Sequence, residues 1–331
     1  MKSRNFAAVA LVMLGLQAGA AAQSRLHTSG SDYPSRPIRI VAGWPAGGGS
    51  DHIARIVAKH LTEGLGQQVI IDNRPGAGHT IALTIVANAT PDGYTLQMVN
   101  ANYTLNPFVY GKQPYDIERD FAPVTQVVSH PLVLVVSASL PVASLKDLIA
   151  MAKAKPGALS AGTGGTAGAG AVTTEMFRYV SGTDFVTVPY KGGAQAQLAV
   201  VQGEVQFMIG TMTTTMPAIQ SAKLKVLATS SKKRLPFFPD VPTFVESGLA
   251  GLDIRPWEGI VAPAKTPRPV IDRLHGEVVK MLKLPDIQAQ LAKTSSEPIG
   301  STPAEFSTQI QHQLQLFARI FRGGKIVGGS R

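Results

Sequence analysis

The sequence predicts an α/β protein of two units, each a mixed, mostly parallel sheet flanked by helices, with a cleft between them. Three observations carry this. Short apolar runs alternate with amphipathic stretches of helical period, the pattern of β-α-β units around a parallel sheet. The alternation occurs twice, over 36–99 and again over 127–229, and each half holds a glycine-rich loop running into a helix. The chain has 331 residues, 44% hydrophobic and 16% charged, long enough for two domains and apolar enough to bury their cores.

Taken in order, residues 1–5 carry Lys2 and Arg4, residues 6–19 are an almost unbroken apolar run, and Ala20-Ala21-Ala22 supplies the small residues that signal peptidase reads. Residues 1–22 are therefore expected to be a signal peptide cut between Ala22 and Gln23. A membrane anchor needs about 20 apolar residues, and this run is shorter, with Gln17 inside it. Residues 23–35 form a polar leader. Residues 37–42 alternate and then run apolar, as a strand of a parallel sheet does. The loop 43–51 leads into a helix with Ile53, Ile56, Val57 and Leu61 on one face and His52, Arg55 and Lys59 mostly on the other. A strand at 68–72, a helix at 80–89, a Pro91-Asp92-Gly93 turn and a strand at 94–99 complete the first unit.

Residues 127–136, rich in Val and Leu, read as one long buried strand. Ser144 and Asp147 make a capping box for a helix reaching Lys153. After the glycine-rich stretch 158–170 come a helix at 171–179, a strand at 185–189, a helix at 195–201 and strands at 205–209 and 223–229. A proline-rich loop covers 230–245. Beyond 257–262, helices are expected at 270–282, 286–292 and 303–321, the last opening on Thr302, Pro303 and Glu305.

Composition excludes several chemistries. Without cysteine there is no disulfide, thiolate metal site, cysteine nucleophile or lipid-modified N-terminal thiol. The seven histidines lack metal-binding spacing, so no metal is expected. Ser50-Asp51-His52 contains the residue types of a hydrolytic triad, but helix neighbours point about 100° apart and cannot relay a proton. No G-x-S-x-G elbow is present. Gly162-x-Gly164-x-x-Ala167 with Asp184 matches a dinucleotide fingerprint only formally, because glycine is dense there, and no cofactor is expected. Lys223, Lys225, Lys232, Lys233 and Arg234 cluster without interleaved aromatics and read as a solvated loop, not a nucleic-acid surface. The formal charge of +10 still favours anionic ligands.

Two loops are the candidate sites. In 45–51, consecutive glycines let the backbone approach a ligand, and the following helix turns free N–H groups and its positive dipole end to the same place. That suits a carboxylate or phosphate; the alternative is a tight turn without ligand. The second loop, A-G-T-G-G-T-A-G-A-G at 161–170, repeats the arrangement.

Seven strings occur in a set order: P-I-R-I-V-A-G-W-P-A-G-G-G-S-D (37–51), I-D-N-R-P-G-A-G (71–78), P-D-G-Y-T-L (91–96), Asn106-Pro107, R-D-F-A-P-V (119–124), V-P-Y-K-G (188–192) and F-P-D-V-P-T-F-V-E-S-G (238–248). Together they resemble the Bug-type substrate-binding proteins of tripartite tricarboxylate transporters, from about Pro34 to the C-terminus. The resemblance implies a type II-like periplasmic binding protein of a Gram-negative cell, not an enzyme, monomeric. Such a protein closes on a small organic carboxylate and delivers it to an inner-membrane permease. It implies lobes formed by 36–132 plus 258–331 and by 133–257. Carried over by position, the ligand would meet Pro45, Ala46, Gly47, Gly48 and Asp51 on one side and Gly165, Thr166, Ala167, Gly168 and Ala169 on the other.

Departures from that family bear on specificity. A common Gly-Asn pair is replaced by His79-Thr80, a Ser/Thr and His of the second loop by Gly168, Ala169 and Ala171, and an Asp-Asn pair by Thr211-Met212-Thr213. The expected pocket therefore has fewer charged contacts beyond the carboxylate and more apolar wall. Thr80, Asn102 and Thr211 join the candidate ligand contacts, with Tyr103, Tyr190 and Lys191 as further cleft residues. Trp44 and Trp257 either wall the ligand or pack in the core. An envelope hydrolase and a periplasmic metabolite sensor of the same fold are the rival readings.

Overall fold

A computed structural model of the chain describes residues 33–165, 169–252 and 255–322. The expected signal peptide, most of the leader, and Thr166, Ala167 and Gly168 lie outside them. The first sheet has strands β1 (Ile38–Ala42), β2 (Val69–Asn73), β3 (Thr95–Asn100), β4 (Phe121–Ser129), β10 (Trp257–Pro263) and β11 (Glu297–Pro298), in the order β11-β4-β10-β3-β1-β2. The second has β5 (Leu132–Ser137), β6 (Ser160–Thr163), β7 (Val186–Pro189), β8 (Phe207–Thr211) and β9 (Leu224–Thr229), ordered β7-β6-β8-β5-β9. Both sheets are mixed, with the parallel pairs gathered around β1 and around β6.

Side chains of a strand alternate between faces, and each sheet uses both. Ile38, Ile40 and Ala42 face a core with helices α1 (Gly49–Leu65), α8 (Arg268–Leu282) and α9 (Pro285–Lys293). Val41, Val99 and Val261 face a second core with α2 (Thr80–Ala87), α3 (Asn102–Val109) and α10 (Pro303–Arg322). In the other sheet Leu132, Leu134 and Val136 pack on α4 (Leu145–Ala154) and α5 (Ala169–Ser181), while Val133 and Val135 pack on α6 (Gly193–Gln202) and α7 (Met212–Gln220). Each unit is thus a helix–sheet–helix sandwich.

The run 127–136 is not one strand. It is the end of β4 and most of β5, in different sheets, broken at His130-Pro131 where the chain crosses between units. Apolar content alone did not reveal the break, because both strands are buried throughout. The return crossing precedes Trp257, and the two crossings touch, His130 N–H donating to the Pro256 carbonyl at 2.8 Å. Leu132 therefore opens a strand of the second sheet and Trp257 one of the first, each one residue across the expected boundary. The final helix straps the two together: Phe306 and Ile310 lie in a core of the first sheet and Phe317 in a core of the second.

Two helices were not expected. α7 contains Thr213, Thr214 and Thr215 and also Pro217, and α3 contains Pro107, all poor helix signals. α7 forms nonetheless because Thr211 caps it and because Met212, Thr215 and Ala218 bury one face.

Candidate functional site

In each sheet one strand has parallel neighbours on both sides: β1 lies between β2 and β3, and β6 between β7 and β8. Connections leave such a strand in opposite directions, so a crevice opens beyond its carboxyl end. The register shows where the crevices lie. Glu258 of β10 is opposite Asn100 at the end of β3, Trp257 is opposite Ser129 at the end of β4, and Leu132 is opposite Thr211 at the end of β8. The carboxyl ends of β3 and β8 therefore flank the same two-residue crossing, and both crevices meet there. The loop 43–48, Thr80 and Asn102 stand on one rim, and Gly165, Ala169 and Thr211 on the other.

Pro45, Ala46, Gly47, Gly48 and Gly49 are exposed, and a Cβ built on any of the three glycines meets no atom within 4 Å. Gly47 has φ 91°, a left-handed conformation that favours glycine, whereas Gly48 has an ordinary φ of −82°. Asp51 lies beneath the loop, 1% exposed. Its Oδ2 accepts the Gly47 N–H at 2.9 Å and Arg55 Nε at 2.8 Å, and its Oδ1 accepts Asn73 Nδ2 at 2.9 Å. Asn73 Nδ2 also donates to the Trp44 carbonyl at 3.1 Å. Burial works to raise the Asp51 pKa, but the bonds from Gly47, Arg55 and Asn73 and the Arg55 charge outweigh it and hold the carboxyl below its usual range. Asp51, expected to face a ligand, pins the loop from below.

The helix starts at these rims leave donors open. The first helical bond of α1 runs from His52 N–H to the Gly48 carbonyl, so the N–H groups of Gly49, Ser50 and Asp51 have no helical acceptor, and Gly48 has no side chain to cap them. α2, α3 and α6 start at His79, Ala101 and Gly192, none giving a side-chain cap. Among the described helices that start elsewhere, α4 has a full Ser144–Asp147 capping box and α10 the reciprocal Thr302–Glu305 pair, while α8 and α9 also lack a side-chain cap and have proline in their first turn. α7 is the exception at the rim, Thr211 Oγ1 accepting the Thr214 N–H at 3.3 Å. Several uncapped starts at one place suit an anion held by backbone amides.

Other expected contacts fall differently. Thr80 Oγ1 donates to Gln113 Oε1 at 2.7 Å, and the Asn102 N–H is taken by Asn100 Oδ1 at 3.0 Å. Trp44 is buried in the first core, edge-on to His79 at 5.5 Å, and its indole N–H has no partner among the described residues. Trp257 is 1% exposed, donates to Gln313 Oε1 at 3.0 Å and packs on Phe306, so it is a core residue and not a cleft wall. Tyr103 is equally buried, its hydroxyl donating to the Ile117 carbonyl. In the second loop Gly165 has φ 115° and open space, but Gly164 and Gly170 are needed for packing. A Cβ there would lie 2.6 Å from Gly193 N and from the Ile209 carbonyl oxygen.

Sequence reasoning missed two features. His79 occupies a left-handed position (φ 78°) and covers Gly43, where a Cβ would come within 2.6 Å of the His79 Cβ. Burial lowers its pKa and favours the neutral ring. The second is a polar chain. Ser50 Oγ donates to Glu258 Oε1 at 2.7 Å, His130 Nε2 contacts Glu258 Oε2, His130 Nδ1 meets Ser296 Oγ at 3.1 Å, and Ser296 meets Thr294 at 2.8 Å. A carboxylate inside the fully buried strand W-E-G-I-V-A-P was the available signal. Because Glu258 sits between Ser50 and His130, the serine lacks the imidazole base of a hydrolytic relay. Among the described residues, no group of three or more His, Asp or Glu side chains could hold a metal, and no helix is long and apolar enough to cross a membrane.

The family described as "Tripartite tricarboxylate transporter family receptor" matches residues 53–324. Protein BugT of Bordetella pertussis (strain Tohama I) is 32% identical over 300 residues, 89% of this chain and 91% of that one. The structure of Rpa4515 from R. palustris with adipate is 30% identical with a TM-score of 0.70, covering 88% of this chain and 98% of that one. MatC from Rhodopseudomonas palustris with bound malate is 27% identical with a TM-score of 0.67, covering 87% and 100%.

Proposed function

The chain belongs to the tripartite tricarboxylate transporter family of receptors, and from that premise we propose that it captures a small organic carboxylate in the periplasm and hands it to a membrane permease. The observation that carries the reading is the pair of uncapped helix starts with glycine N-caps, α1 beyond β1 and α6 beyond β7. The structures of two relatives with adipate and with malate support a carboxylate as ligand. Each hydrogen bond from a backbone N–H to a charged group contributes about 1.5–3 kcal/mol, and a helix dipole about 0.3–1. Two helix starts therefore approach the roughly 8 kcal/mol of micromolar binding without an arginine.

In this reading the lobes are those expected from sequence with each boundary moved by one residue, 36–131 with 257–331 and 132–256. They close about the paired crossings at His130 and Pro256, bringing Gly165, Thr166, Ala167, Gly168, Ala169 and Thr211 toward Pro45, Ala46, Gly47 and Gly48. The protein acts as a monomer and performs no chemistry on its cargo.

Thermal melting with a panel of mono-, di- and tricarboxylates tests this. A ligand at 100 times its Kd adds about 2.7 kcal/mol, expected to raise the melting temperature by about 5–10 °C. No shift with any acid, together with no acid retained on gently purified protein by mass spectrometry, overturns it. Hydrolysis of ester or amide substrates that is lost in Ser50→Ala favours the hydrolase reading instead.

A further inference from the structure

Glu258 is an unusual neighbour for an anion site. It is buried, lies at the start of β10 opposite Asn100, and holds Ser50 in the first turn of α1, the turn whose free N–H groups face the loop at 45–49. Two consequences follow from its geometry. The Ser50 hydroxyl, otherwise a donor for a ligand, already donates to Glu258 at 2.7 Å, leaving backbone N–H groups as the donors there. The Glu258 charge is also next to the place a ligand carboxylate would occupy, and its other oxygen contacts His130, whose second ring nitrogen meets Ser296.

The other arginines of this rim are all paired, four of them against three carboxylates. Arg55 pairs with Asp51, Arg39 and Arg74 with Asp72, and Arg255 with Glu297 of β11, which itself lies opposite Ser129. His79 above Gly43 is kept neutral by burial. The facing rim adds Lys191, exposed in the loop before α6 and without an ion pair among the described residues.

We propose that Glu258, bridging Ser50 and His130 beside the start of α1, is a specificity-determining residue that restricts the ligand to one carboxylate and disfavours a second. This rests on the carboxylate-receptor reading above and deepens it. A second carboxylate reaching this rim meets the buried Glu258 charge in a region of low dielectric, where like charges repel strongly.

The test uses matched pairs in which one carboxylate is replaced by its amide: succinate and succinamate, adipate and adipamate, terephthalate and 4-carbamoylbenzoate. Affinities are measured by calorimetry on the whole chain and on Glu258→Gln, each first checked for cooperative melting. In the wild type the monoamide is expected to bind about tenfold more tightly than the dianion, a difference of about 1.4 kcal/mol. Glu258→Gln, which still accepts the Ser50 hydroxyl, should erase the preference. A wild-type preference for the dianion in every pair that binds, or a preference unchanged in Glu258→Gln, overturns the inference while leaving the receptor reading intact. Binding by no member of any pair counts against that reading, and the inference falls with it.

Discussion

Asp51 is the residue on which loop shape and binding can be separated. Its carboxylate takes the Gly47 and Asn73 N–H groups and Arg55 Nε. The first two bonds to a charged acceptor contribute about 1.5–3 kcal/mol each. The Arg55 pair adds about 0.3–1, since that guanidinium is half exposed and rehydrates. Asp51→Ala should therefore lose about 3–5 kcal/mol and melt about 10 °C lower. Asp51→Asn keeps one acceptor oxygen but turns an amide N–H toward another donor, so about half that loss is expected. Affinity for a carboxylate should fall about tenfold in the Asn variant, because a loop no longer pinned must be ordered on binding, at about 1–2 kcal/mol per residue fixed. The Asp51 pKa is depressed in the folded state, so its stabilisation is present above the ordinary carboxylate value near 4 and is lost as pH falls through the lower folded value. Melting curves of wild type and Asp51→Asn should thus converge on acidification below about pH 4. Melting followed by scanning calorimetry and affinity by titration read both quantities. An Asn variant as stable as wild type but unable to bind would refute the reasoning and return Asp51 to direct ligand contact.

Three further outcomes are expected. Gly47→Ala should cost about 1–2 kcal/mol through its left-handed backbone, whereas Gly48→Ser should melt within about 1 kcal/mol of wild type yet bind a carboxylate about tenfold less tightly; equal stability of the two variants in denaturant titration refutes the distinction. Gly43→Ala should lose about 1–3 kcal/mol by crowding the His79 Cβ, and adding His79→Gly should restore most of it; a double variant no better than Gly43→Ala would place the crowding elsewhere. Trp257→Phe should cost about 1–3 kcal/mol by leaving Gln313 with only the Thr104 hydroxyl as donor, with ligand affinity unchanged at temperatures well below melting; a tenfold loss of affinity would put Trp257 at the ligand.

The apolar runs made β1, β2, β3, β7, β8 and β9 legible, because a strand buried on one or both faces writes its burial directly into sequence, whereas β6 lies hidden in the glycine-rich stretch 158–170. What alternation could not carry was partnership. Residues 127–136 look uniform, yet the chain changes sheets at His130-Pro131. Helices held by tertiary burial against poor propensity, such as α3 and α7, were likewise invisible. The two glycine-rich loops were legible as loops, but not which glycines the fold itself requires: Gly164 and Gly170 are small because backbone passes within contact distance. Trp44 was read from adjacency to the loop, Trp257 from its place near the return between lobes and Asp51 from the family resemblance, and none of these says on which side of the backbone a side chain falls. Ser50, Glu258 and His130 lie far apart in the chain, and only the register of β10 against β3 and β4 brings them together.

The distinction between glycines that the fold needs and glycines that it does not is the strongest internal argument for a ligand. Gly47 is explained by its backbone conformation, and Gly43, Gly164 and Gly170 by close packing. Gly48 and Gly192 are explained by neither. Their φ angles, −82° and −178°, are open to any residue, and a Cβ on either meets nothing within 4 Å. Both are N-caps, the position where Ser, Thr, Asp or Asn would ordinarily stabilise a helix by about 0.5–2 kcal/mol relative to alanine, and where this chain does place Ser144 for α4. A side-chain oxygen at either position would accept the N–H groups of the first turn and compete with an external anion for them. Glycine, itself tolerated at an N-cap, leaves those donors open without opposing the fold, which fits the external anion proposed above.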